Sequence, residues 1–178
     1  MSIINFRKTY IAKPYMAISL LGKSYKLTTK YTSSSNINLT KKDSEFVLSL
    51  PKKYKNLNNQ DLVLQATEKL YTEFAPKEIE DSLELARHIL KFAPDDYKIE
   101  KLDNSFYKSI KRKILVISPD IIQYNKEIIN TTMIQEFCKM KHNQNSKLYK
   151  QILKNALLEY ENYKKNNHSS IELKYQVI

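Results

Sequence analysis

The spacing of apolar positions changes period along the chain. Residues 15–32, "YMAISLLGKSYKLTTKYT", carry two apolar or alternating runs around Gly22 and Lys23. This pattern predicts a hairpin, with strands near 15–21 and 25–32. "SSSNINL" starts like a turn, because serine and asparagine side chains bond readily to nearby backbone. "EFVLSLP" predicts a short strand closed by Pro51. The period then lengthens. Leu62, Val63, Ala66, Leu70 and Phe74 share one helical face, with Asn59 or Asp61 as a cap and Pro76 ending the helix or opening the next one. Ile79, Leu83, Ala86 and Leu90 form a second helical stripe, which Pro94 closes. "YKIEKL" alternates, and "RKILVIS" is a compact apolar run ended by Pro119. Two further helices are predicted near 127–142 and 147–165. Residues 166–178 fit either a final strand or a flexible tail. The order of strands, two helices, strands and two helices predicts an α+β fold, with helices beside a small, mostly antiparallel sheet. Neither a repeat nor a long linker divides the 178 residues, so one domain over 1–178 is expected.

Composition narrows the chemistry. The single glycine, Gly22, excludes Gly-rich phosphate loops and dinucleotide fingerprints. The single cysteine, Cys138, allows neither an internal disulfide nor a multi-cysteine zinc site, and a reducing compartment follows. The N-terminal text lacks the pattern of a secretory signal, and no apolar run reaches membrane-spanning length. A cytoplasmic protein with no membrane partner is expected. The net charge of +11 is compatible with nucleic acid as a partner. The preferred reading is a by-product of a composition rich in lysine, asparagine, isoleucine and tyrosine. The nearest approach to a basic block, "KSIKRK" at 108–113, is short. Lys147, Lys150 and Lys154 read as the wet face of an amphipathic helix.

The stretch "NTTMIQEFCKMKHNQNSKLYKQI", residues 130–152, concentrates the candidate chemistry. It reads as helix, polar break and helix, and it holds Glu136, Cys138 and His142. Ile129, Met133, Phe137 and Met140 form the expected core stripe. Gln135, Lys139 and His142 lie on a different side. Cys138 points about 100° away from Lys139 and reads as an inert, semi-buried thiol.

These residues resemble the active-site region of the YgjP-like and SprT-like zinc metallopeptidases. That family carries an H-E-L-C-H helix, a segment ending N-H-S, and a helix with aromatic residues. Here the text is "QEFCK", then "MKHNQNS", then "KLYKQI". Glu136 and Cys138 match the family's E and C, Ser146 matches its S, and Tyr149 stands near its aromatic. "LGKSYKL", "FVLSLP" and "YKIEKLDNSFYKS" resemble earlier blocks in the same order. The resemblance covers about residues 20–163. It implies a small zinc-metallopeptidase-like fold of the minigluzincin type. The expected parts are an N-terminal antiparallel sheet, middle helices, an active-site-like helix and a C-terminal helix.

The chemistry the resemblance implies does not transfer. Two imidazoles one helical turn apart and a third ligand would hold zinc, and the intervening glutamate would take a proton from bound water. The three ligand positions are Gln135, Lys139 and Asn145, and Glu136 remains as a relic general base. An ammonium offers three donors and no lone pair, and amide oxygens are poor zinc ligands. His88, His142 and His168 read as ordinary surface or half-buried histidines. No metal and no cofactor are therefore expected, although the family would use zinc. Lys139 either pairs with Glu136 inside the former site or forms a solvated i,i+3 pair worth a few tenths of a kcal/mol. Phe106, Tyr107 and His142 are candidate lining for a cleft. The reading is a pseudoenzyme that acts through a protein or peptide partner. The alternatives are a hydrolase using Glu136 with non-standard metal ligands and a nucleic-acid-associated basic protein.

Overall fold

Strand β1 (Ala17–Leu20) turns at Gly22 into β2 (Lys23–Thr32), and the two pair antiparallel. The computed structural model describes the backbone of residues 17–175 and the side chains of 17–166. His168 therefore lies outside the described side chains. A loop leads from β2 to β3 (Asn38–Lys42), and a tight turn at left-handed Asp43 leads back into β4 (Glu45–Pro51). The sheet order is β1-β2-β4-β3. Its outer pairings are antiparallel, but β2 and β4 run parallel because β3 has crossed to the far edge of β4. The sheet is thus mostly antiparallel, as expected, with one parallel pairing at its centre. Alternation places Ile18, Leu20, Leu27, Phe46, Leu48 and Leu50 on one buried face.

A single helix, α1 (Gln60–Leu90), follows, and this corrects the two helices expected on either side of Pro76. Proline removes one backbone hydrogen bond and crowds the preceding turn, at about 3 kcal/mol in a helix interior. Here the buried stripe runs through it without a phase break: Leu70, Tyr71, Ala75, Ile79, Leu83, Ala86 and Ile89. Tertiary burial on both sides of the proline offsets the local penalty. Phe74, expected on the apolar face, is exposed, and Tyr71 and Ala75 take that face instead. Asn59 sits at the cap position but makes no capping bond; its amide donates to the Tyr31 hydroxyl at 2.9 Å.

A second sheet has the order β5-β7-β6, formed by β5 (Asp96–Ile99), β6 (Tyr107–Ile110) and β7 (Ile114–Ile117). β6 was not foreseen. Its hairpin turn uses Lys111 and Arg112, both left-handed, without the glycine or asparagine that usually marks such a turn. Tyr97 on β5 donates to Glu80 at 3.2 Å and ties this sheet to α1.

Helix α2 (Lys126–Lys141) is capped by Asn125, whose Oδ1 accepts the Ile128 N–H at 2.9 Å. Lys126 reaches Glu78 at 2.8 Å, and His142, just past α2, meets the ring of Phe92, just past α1. The second half of α1 and α2 therefore run side by side in the same direction. α3 (Lys147–Tyr175) covers α2 with Tyr149, Ala156 and Tyr160. Its backbone is helical as far as Tyr175, so a strand in that part of the tail is corrected. One hydrophobic core joins residues of both sheets and all three helices. No helix of the described residues is long and apolar enough to cross a membrane.

Candidate functional site

Helix α2 is enclosed on most of its circumference. Ile129, Met133, Ile134, Phe137 and Cys138 are fully or almost fully buried, and so are the polar residues Asn130 and Glu136. Buried polar groups need partners, and a buried charge needs a counter-charge. Lys139, one turn along, supplies it. Its Nζ donates to Glu136 Oε1 at 2.6 Å, with only 14% of the lysine side chain and 6% of the glutamate side chain exposed. The pair is therefore an interior one, and the solvated alternative is corrected.

Two tyrosines from other elements complete the surroundings. The Tyr107 ring on β6 lies under the Lys139 ammonium, 5.3 Å from Nζ to the ring centre. Its hydroxyl feels the Glu136 carboxylate. Burial and that negative charge push the Tyr107 pKa up to about 12. Tyr149 on α3 is coupled to Gln135 and feels both charges of the pair; burial is the main cause of its raised pKa. Burial also raises the pKa of Glu136, against the pull of Lys139 and Tyr107. Removing one partner of such a buried pair costs about 3–5 kcal/mol, because the other charge is left uncompensated.

The remaining candidates lie apart from this cluster. Asn145 is exposed in the α2–α3 turn, where its N–H donates to Asn143 Oδ1 at 3.1 Å. Ser146 caps α3: its Oγ accepts the Tyr149 N–H at 3.1 Å. Phe106 is 3% exposed and packs edge-on against Tyr124, so it fills the core and does not line a cleft. His142 turns its ring to Phe92 at 6.2 Å, away from a cleft role beside Glu136. Of the proposed cleft residues, only Tyr107 stands at the pair. His88 lines an open cavity of about 460 Å³ at the end of α1, with Glu84, Arg87, Lys91, Phe92 and Ala93. Sequence reasoning missed the Asn130 amide, which donates to the Tyr160 hydroxyl at 3.1 Å and joins α2 to α3. A polar residue next to the Ile129–Met133 stripe was its only signal.

A family model described as "YgjP-like, metallopeptidase domain" matches residues 5–168. The chain belongs to the YgjP-like metallopeptidase family. No curated protein and no solved structure matches the chain. The resemblance read from "QEFCK" and the blocks before it thus points to the right family, and the mixed α+β architecture agrees with a small metallopeptidase-like domain.

A YgjP-like domain with zinc ligands at the positions of Gln135, Lys139 and Asn145 would need three lone pairs converging on one point. The residues present do not fit that requirement. Lys139 presents an ammonium already committed to Glu136, and Asn145 stands exposed in a turn. Among the described residues, no three His, Cys, Asp or Glu side chains form a group that could hold a metal ion. Cys138 does not compensate: it is fully buried, and burial pushes its thiol up to about 11.

Proposed function

We propose that this YgjP-like domain is non-catalytic and acts by binding a protein or peptide partner. The observation that carries this reading is the Lys139–Glu136 pair at 2.6 Å. A general base must reach the water it deprotonates, with a lone pair free to take the proton. The Glu136 carboxylate is instead bound by an ammonium that itself lies over the Tyr107 ring, and only 6% of the glutamate side chain is exposed. The scaffold that presents α2 and α3 is kept, the groups that would hold a metal are replaced, and the glutamate that would activate its water is bonded to Lys139.

The test is metal analysis of the purified full chain after incubation with zinc and dialysis, together with a peptide-hydrolysis assay. The expected result is no stoichiometric zinc and no zinc-dependent hydrolysis. One zinc per chain, with hydrolysis abolished by Glu136→Gln, would establish instead a hydrolase with unusual ligands. The matching genetic expectation is a cellular role kept by Glu136→Gln under conditions in which that variant is folded.

A further inference from the structure

Every charged or polar member of the Glu136 cluster comes from a different packing partner of α2 or from α2 itself. Glu136, Lys139 and Gln135 belong to α2, Tyr107 to the edge strand β6, and Tyr149 to the first turn of α3. The lysine is the only cation that contacts the buried carboxylate among the described residues. Its ammonium also lies over the Tyr107 ring, and Tyr149 is within electrostatic reach of it.

We propose that Lys139 is a built-in cation that replaces a metal ion as the organising charge of this site, neutralising Glu136 and clasping β6 to α2. A bound divalent ion would gather side chains around one positive centre. The ammonium does so from within the chain: it donates to Glu136 and presents a cation to the face of Tyr107. The inference rests on the reading that zinc does not occupy these positions, and it assigns Lys139 as a positioning residue rather than a catalytic one.

The consequence is a specific kind of non-additivity. Lys139→Met strands a buried carboxylate, whereas Lys139→Met/Glu136→Gln removes both charges at once. The experiment is denaturant unfolding of the full chain for wild type, both single variants and the double variant, with amide hydrogen exchange on each. The expected result is a lower unfolding midpoint for Lys139→Met and a partial return in the double variant. Exchange should accelerate in Lys139→Met at Tyr107–Ile110, and slow again in the double variant. Strands β1 to β4 should keep their wild-type pattern. A single variant that fails to fold beside a double variant that folds is the same result in stronger form. A double variant no more stable than Lys139→Met, folding included, overturns the proposal, because lost packing alone would add rather than cancel. So does faster exchange spread evenly over the chain. This outcome is independent of the zinc and hydrolysis measurements, so the clasp and the non-catalytic reading fail separately.

Discussion

Gly22 lies directly against Asn125: a Cβ added to the glycine would stand 2.6 Å from the Asn125 Cβ. The contact joins the β1–β2 turn to the residue that caps α2. Two backbone bonds fix it, from Leu21 N–H to the Ile122 carbonyl at 2.7 Å and from Gly22 N–H to the Gln123 carbonyl at 3.2 Å. Gly22 is also left-handed, at φ +77°. Gly22→Ala therefore combines backbone strain with a clash against a helix cap. A loss of about 2–4 kcal/mol is expected in urea unfolding. A loss under about 0.5 kcal/mol, the usual range of neutral surface changes, would show that the turn does not bear on α2.

Pro76 stands inside α1, half-buried, with its neighbour Ala75 fully buried. Pro76→Ala restores a helical N–H and relieves the crowded turn. The helix-interior penalty of about 3 kcal/mol is offset in part by about 0.4–1 kcal/mol of added unfolded-chain entropy. A net gain of about 2–2.6 kcal/mol in stability is expected. A loss of stability would mean that the core is shaped to a bend the proline imposes.

Glu136 makes stability depend on pH with a definite sign. Burial outweighs Lys139 and Tyr107, so the folded carboxyl holds its proton more tightly than the ordinary value of 4.5. The folded state then binds more protons, and stability falls as pH rises from about 4.5 through the raised folded value. Glu136→Gln lacks this titration. The stability of wild type relative to Glu136→Gln should be greatest at acid pH and shrink towards neutrality. Unfolding curves for both proteins at several pH values decide it, and a difference that grows with pH contradicts the assigned direction.

Cys138 should be silent in the native protein. It is fully buried on α2, with its pKa pushed up to about 11 by burial, so both access and thiolate are lacking. Reaction with a thiol reagent at neutral pH should proceed only as fast as the structure opens, and denaturant should release one thiol per chain at once. Prompt modification of the folded protein would place the thiol at the surface.

The chain by itself determined the family, the α+β class and the boundaries of α2, because these rest on local signals. The Ile129, Met133, Phe137 and Met140 stripe is visible as helical spacing, and all four are buried. "QEFCK" also puts a lysine at the position to which the family resemblance assigns an imidazole. Tertiary structure decided the rest. Pro76 reads as a stop until the burial on both of its sides is known, since its penalty is local and its compensation is not. The β6 turn at Lys111 and Arg112 carries no local mark because sheet pairing, not residue preference, holds those left-handed angles. Phe106 and His142 could not be separated from cleft residues until their packing against Tyr124 and Phe92 was seen. Lys139 and Glu136 are three residues apart, a spacing that on an open helix face gives a weak, solvated pair. Only the enclosure of α2 by α1, α3 and the second sheet withdraws them from water, and that lowered dielectric turns the same two residues into the fixed charge centre of the site.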